Sequence, residues 1–354
     1  MKKEIYTDLK TGLPSGRNGL LFGLLFVLIL ILLFLDIFLG SVSITPGEVV
    51  RALFTDESNS FATIIIKFRV PKAITALIVG IGLSISGLQM QTIFRNPMAG
   101  PDVLGISSGA SLGVAIVILG ISSSFPADGL RGMGNWMLVA SSWAGAGAVM
   151  ILIMFISARV KEIMTILILG IMLSGGISAI VTIMQYFSNE TMLKAFMVWT
   201  MGSLGNLTSD QLNILIISVS AGVLMSLFSA KMLNALLLGE GYAQSVGLNV
   251  KFARVVIFSC TSILAGSVTA FCGPIGFIGI AVPHIARIIF RTSNHRVLIP
   301  GTMLTGGGVM LASDIISQLP GSNSVLPLNA VTSLIGIPVV VWVIFRNRRY
   351  SGLF

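Results

Sequence analysis

Long apolar runs broken by short polar segments make up most of this chain. They fall near residues 19–40, 72–92, 103–120, 136–157, 163–187, 211–230, 254–272, 275–290, 297–318 and 327–345. Each is about as long as an α-helix must be to cross a ~30 Å hydrocarbon core, so the pattern predicts ten membrane-spanning helices. The eighth and tenth are short for straight spans and are expected to be tilted, broken or partly re-entrant. The pattern is sharpest around residue 96. There a run rich in Gly and Ser breaks at Arg95-Asn96-Pro97 and then resumes as a second such run. A further apolar piece at 192–204 follows Asn189-Glu190 and is too short to cross. It is expected to lie on the outer surface or to dip into the protein. Strict apolar/polar alternation with long polar loops, the mark of a transmembrane barrel, is missing.

Composition agrees with the pattern. Hydrophobic residues are 55% and charged residues 10% of 354 positions, against about 25% charged in an average soluble domain. An orientation follows from the cations. With the N-terminus cytoplasmic, 16 of the 22 Lys and Arg fall on the inner side, and Arg51, Lys67, Arg69, Lys72, Arg131 and Lys194 fall outside. The positive-inside rule therefore places both termini in the cytoplasm. This asymmetry accounts for the net charge of +9 without a nucleic-acid partner. Residues 1–18 read as a cytoplasmic leader and 19–354 as a single membrane domain. The first run has no small-residue cleavage site behind it and is expected to be retained as a helix.

Several chemistries are absent. No G-x-x-x-x-G-K-[ST] phosphate loop occurs, so the chain is not expected to be its own ATPase. His284 and His295 are the only histidines, and no Cys, His and carboxylate group has metal-ligand spacing. Cys260 and Cys272 stand about 18 Å apart along one helix, too far to pair with each other, and read as small apolar packing residues. Among ionisable groups within spans, Asp36 and Asp314 stand out. Asp36 is expected near the outer interface. Asp314 lies deep in the ninth span, where it needs either a structural partner or a watery transport cavity. Gly105, Gly109 and Gly113 recur every four residues and predict a close helix–helix contact, either static or sliding. Segment 231–254 reads as two short amphipathic pieces flanking Gly239-Glu240-Gly241. Its cations stand only at its ends, which favours a protein partner over the lipid surface.

From about Ile44 onward the chain resembles the FecCD-type permeases, the membrane subunits of ABC importers for iron-siderophores, haem and cobalamin. The resemblance rests on Arg69-Val70-Pro71-Lys72, on SISGLQMQTIFRNPMAGPDVLGISSGASLG from Ser84, on GPIGFIGIAVPHIARIIF from Gly273, on His295-Arg296 and on TSLIGIPVVVWVIF from Thr332. It implies an all-α polytopic subunit of the type II importer class. Such a subunit pairs with a second permease subunit, often an identical copy in a homodimer, and the substrate passes at the interface. Two cytoplasmic ABC ATPase subunits would carry ATP and Mg, with no cofactor on this chain. They would bind Leu237, Leu238, Gly239, Glu240, Gly241, Ala243, Val246, Gly247 and Leu248. A periplasmic or surface-anchored substrate-binding protein would dock on Arg69 and Lys72, unless these are membrane-edge anchors. The cytoplasmic gate would involve Asn96, Pro97 and Met98, opposed by Glu162, Ile163 and Met164. The setting would be the bacterial cytoplasmic (inner) membrane and its lipid bilayer.

Two departures from the family pattern stand out. Where A-D-x-x-x-R is usual, the chain reads Ser313-Asp314-Ile315-Ile316-Ser317-Gln318, and where E-[IL]-P-[VIL]-G is usual it reads Val325-Leu326-Pro327-Leu328-Asn329. An Arg has become Gln318 and a Glu has become Val325, which suggests that the two interact elsewhere in the family and that docking is unusual here. Two rivals remain. An ion-coupled secondary transporter would work through Asp314 or Asp36, and an intramembrane enzyme would need His284 as its base.

Overall fold

The computed structural model describes residues 16–40, 45, 47, 49, 60–120, 127–160, 162–205, 207–318 and 325–351. Most of the expected leader lies outside them, while Gly16, Arg17 and Asn18 already belong to the first helix. Among the described residues the structure is helical throughout. The helices are α1 Gly16–Phe38, α2 Phe61–Ile93, α3 Ile106–Gly120, α4 Ala127–Arg159, α5 Ile163–Tyr186 and α6 Glu190–Thr200. They continue as α7 Ser209–Leu237, α8 Glu240–Ser245, α9 Val250–Cys272, α10 Ile278–Phe290, α11 His295–Ser317 and α12 Leu328–Ser351. Seven of them are long and apolar enough to cross a membrane: α1, α2, α4 over Trp136–Arg159, α5, α7, α9 and α11. The shorter apolar helices α3, α10 and the Leu328–Val343 part of α12 occupy the three remaining predicted positions.

Local chemistry sets several of these boundaries. Asn189, Asn249 and Asn294 each cap a helix N-terminus by accepting a backbone N–H, and Thr208 with Gln211 forms a capping box at the start of α7. The third run was expected to be helical from 103. Instead Pro101–Leu104 forms a 3-10 turn, and Gly105 stands at φ +77° before α3 begins. Only Gly109 and Gly113 then share the helical face expected of all three glycines, because the left-handed backbone at Gly105 turns it off the helix axis. Segment 190–200 is a separate short helix packed on α3, as its length required.

α2 is the hub of the bundle. Nearly every residue from Val79 to Ile93 is buried, and α7, α9, α10 and α11 all pack against it. Small residues at one-turn spacing let the neighbouring backbones approach closely. A Cβ on Gly80 would lie 2.3 Å from the Gly306 carbonyl oxygen of α11, and one on Gly87 would lie 1.7 Å from that of Gly279 in α10. α3 meets α4 in the same way, with Gly109 against Gly145 and Gly113 against Ser141. By contrast α1 is a peripheral helix, which leaves Leu20, Leu24, Val27 and Ile31 exposed as a lipid-facing stripe.

Contacts between helix termini define two ends of the bundle. At one end Arg17 donates to the Phe290 carbonyl (3.1 Å), His295 of α11 meets Asn234 of α7 and Thr92 of α2, and Arg254 of α9 meets Val160 after α4. At the opposite end Arg69 reaches the C-terminal carbonyls of α1, and Ser203 N–H donates to the Cys272 carbonyl. Arg17, Arg95, Arg159, Lys231, Lys251, Arg254, Arg291 and Arg296 gather at the first end, which is therefore the basic end. Gly87→Ala is expected to force α2 and α10 apart, at a cost of about 2 kcal/mol or more. Gly147→Ala, which meets nothing within 4 Å, is expected to be silent. Melting temperatures of the two variants in detergent check this.

Candidate functional site

At the basic end α7 runs unbroken to Leu237, and Gly239 then turns the chain at φ +111° into α8. The first of the two expected amphipathic pieces is thus the last turns of α7. Its apolar period is not interrupted before the glycine, so only Glu240–Ser245 forms a separate helix. Ala243 is fully buried, whereas Leu238, Tyr242 and Val246 are exposed. Leu238, Tyr242 and Val246, with Asn234, Leu237 and Arg291, line a largely apolar cavity of about 660 Å³. Gly247 at φ +85° ends the turn, and Leu248 N–H donates to the Ala243 carbonyl (2.9 Å).

The two proposed gate segments lie at this same end. α2 stops at Ile93, and Arg95 at φ 48° sends the chain sideways. Asn96 Oδ1 accepts the Met98 N–H (2.9 Å), and His284 Nε2 donates to the Pro97 carbonyl (2.8 Å). His284 therefore holds the turn. The other segment begins with Glu162 in extended backbone before Ile163 and Met164 open α5, and its carboxylate accepts from Thr165 Oγ1 (3.2 Å). α5 packs on the Pro101–Leu104 turn, with a Cβ on Gly170 only 2.4 Å from the Val103 carbonyl oxygen.

The model of the FecCD transport family matches residues 28–346. The chain belongs to the FecCD family. It is 34% identical over 311 residues to the vitamin B12 import system permease protein BtuC of Escherichia coli O9:H4 (strain HS), covering 88% of this chain and 90% of that one. The same protein of Shigella boydii serotype 18 (strain CDC 3083-94 / BS512) is 34% identical over 284 residues, covering 80% and 84%. Among solved structures, an inward-facing metal-chelate type ABC transporter superposes with a TM-score of 0.80 at 28% identity, over 93% of this chain and 99% of that one. PsaBC from Streptococcus pneumoniae, solved with a Fab, shares the fold at a TM-score of 0.52 and 14% identity, over 84% and 94%.

At the opposite end this FecCD chain encloses a charged cluster. Lys72 Nζ lies 3.0 Å from Asp314 Oδ1, their side chains being 23% and 2% exposed. Gln318 Nε2 donates to Asp36 Oδ1 (2.7 Å) and to Asp314 Oδ2 (3.1 Å), and Arg69 Nη1 donates to the carbonyls of Ile37 (2.9 Å) and Phe38 (2.8 Å). The cluster thus joins α1, α2 and α11 through Asp36, Arg69, Lys72, Asp314 and Gln318. Both cations expected to dock a binding protein hold contacts within the chain, and the Lys72 side chain remains 23% exposed. Asp36, expected at the interface, is buried, because Gln318 supplies its partner. The residues that replace the family's Arg and Glu also share this corner, since Leu326 N–H donates to the Ser317 carbonyl (2.8 Å).

Sequence reasoning missed several polar residues because it searched the spans only for ionisable groups. Gln89 Nε2 donates to Ser226 Oγ (2.9 Å) and Cys260 Sγ (3.2 Å), while its Oε1 accepts from Thr261 Oγ1 (2.9 Å). Cys260 also donates to the Gly222 carbonyl (3.0 Å), so it bonds as well as packs. Gln91 bridges Arg287 to the Ile280 carbonyl. Gln89 and Gln91, two positions apart within a largely apolar run, were the available signal. Among the described residues no three of His, Cys, Asp and Glu form a metal-ligand group.

Lys72→Gln would leave Asp314 buried without its cation and is expected to destabilise the protein by about 3 kcal/mol. Asp314→Asn in the same background is expected to recover most of that loss. Denaturation midpoints of the single and double variants measure both effects.

Proposed function

We propose that this chain is the membrane subunit of an ATP-driven importer for a bulky metal chelate, either an iron-siderophore, haem or cobalamin. The observation that carries the reading is α8. In a FecCD-family chain without a phosphate loop, a short helix at the basic end presents Leu238, Tyr242 and Val246 beside an apolar cavity. Apolar side chains on a turn among cations suit a cytoplasmic protein better than water or lipid. Two ATPase subunits, holding ATP and Mg, are the partners proposed for this surface. The basic end is then cytoplasmic, in a bacterial inner membrane.

A second copy of the chain is proposed to complete the pathway. α5 leaves Gly175, Gly176, Ser178, Ala179 and Thr182 exposed among apolar residues, and a Cβ on either glycine would meet nothing within 4 Å. A face this small and mildly polar suits a wide passage between two subunits, with selectivity left to a substrate-binding protein. ATP binding closes the ATPases, α8 moves with them, and the segments at Asn96–Met98 and Ile163–Met164 open or shut the inner mouth. The kinship with vitamin B12 permeases and a metal-chelate transporter supports the cargo class. Ion-coupled transport through Asp314 finds less support, because both its carboxylate oxygens are already engaged by Lys72 and Gln318.

Co-purification followed by ATP hydrolysis in proteoliposomes tests this reading. The chain is expected to retain an ATPase. Gly239→Pro, whose ring cannot adopt the φ of +111° found there, is expected to lose that ATPase or uncouple it. A chain that retains none, yet moves cobalamin or ferric chelates on an ion gradient alone, would overturn the reading.

A further inference from the structure

One side chain joins α8 to the segment that opens α5. Arg254, the fifth residue of α9, is 3% exposed. Its Nε donates to Glu240 Oε1 (3.0 Å), and its Nη2 donates to both Glu240 oxygens (2.7 and 2.8 Å). Its Nη1 donates to the Val160 carbonyl (3.0 Å), one of the orphan acceptors left where α4 ends. Glu240 is the first residue of α8, and Val160 lies three residues before Ile163. The guanidinium is planar, so its donors are fixed relative to one another. It cannot follow one partner without pulling on the other.

A second contact at the start of α8 is looser. A Cβ on Gly239 would stand 3.5 Å from Arg95 Nη1, in the turn that leads to Asn96–Met98. That is packing without an observed hydrogen bond, whereas the Arg254 side carries three bonds to one carboxylate. A displacement of α8 would therefore reach the α4–α5 turn first and most directly.

We propose that Arg254 is the positioning residue that transmits movement of α8 to the Ile163–Met164 segment. This rests on the reading of α8 as the surface that meets the ATPases. Being buried, Arg254 lies beneath that surface, and changing it leaves Leu238, Tyr242 and Val246 in place. Arg254→Lys keeps the charge but loses the fork, so docking and transmission can be separated.

The test uses the complex of this chain with the ATPase it retains, carrying Met164→Cys as an accessibility reporter. The native Cys260 and Cys272 are buried and free, so maleimide reports on the new thiol. The readout is the change in labelling rate on adding ATP with vanadate. In the Met164→Cys parent this change is expected to be clear. Arg254→Lys is expected to keep the ATPase and its hydrolysis while the nucleotide-dependent change shrinks about tenfold. Arg254→Gln, which can reach one partner but cannot span both, is expected to lose the change at least as fully and serves if Arg254→Lys does not fold. A full response in either folded variant would overturn the proposal. Loss of the ATPase from folded Arg254→Lys would overturn it too, because Arg254 would then act in docking. A parent that retains no ATPase would instead strike the underlying functional reading.

Discussion

The close approach of α2 to α10 and α11 is the contact on which the rest of the structure depends. Gly80 on Gly306 and Gly87 on Gly279 bring backbones together at distances no side chain would allow. In hydrocarbon no hydrophobic force draws helices together, so packing area and interhelical hydrogen bonds must supply the attraction. The glycines make that area available. They also bring Ser84, Gln89 and Gln91 of α2 within bonding distance of four neighbouring helices, where each finds partners.

Polar groups are then sorted by end and by depth. At mid-depth the Gln89 network is neutral and each of its donors is used, which suits a buried polar group that must not be left unpaired. At the end opposite the basic one Lys72 pairs with Asp314, and Gln318 bonds to both Asp314 and Asp36 and so fastens α11 to α1. At the basic end two of the pairs hold short elements and turns, Arg254 with α8 and His284 with the Pro97 turn, while His295 with Asn234 ties α11 to α7. Helices in the middle of the bundle are fixed by close packing. The elements at the basic end hang on discrete hydrogen bonds, which can be exchanged without repacking a core.

That difference bears on how a transporter of this class could move. Interdigitated glycine contacts resist sliding, so α2, α10 and α11 form a rigid block with α1 fastened to its side. α8, the Arg95–Met98 turn and the α4–α5 turn are tied to the block by a few directional bonds. Motion imposed at the basic end would be taken up there first.

The order of spans, their class and the basic end were legible in the chain, because hydrophobic length and the distribution of Lys and Arg are local properties that survive in any packing. The FecCD blocks were legible for the same reason, being runs of contiguous residues. Tertiary structure alone decided which residues meet. Nothing local said that Arg69 would bond to the Ile37 and Phe38 carbonyls or that Lys72 would pair with Asp314, and Arg254 read as the end of a loop until Glu240 and Val160 were found on either side of its guanidinium. Asp36 and Gln318 are 282 positions apart. Nothing in the residues between them says that α1 and α11 will bring these two together, because the partner of a buried polar group is chosen by packing across the bundle.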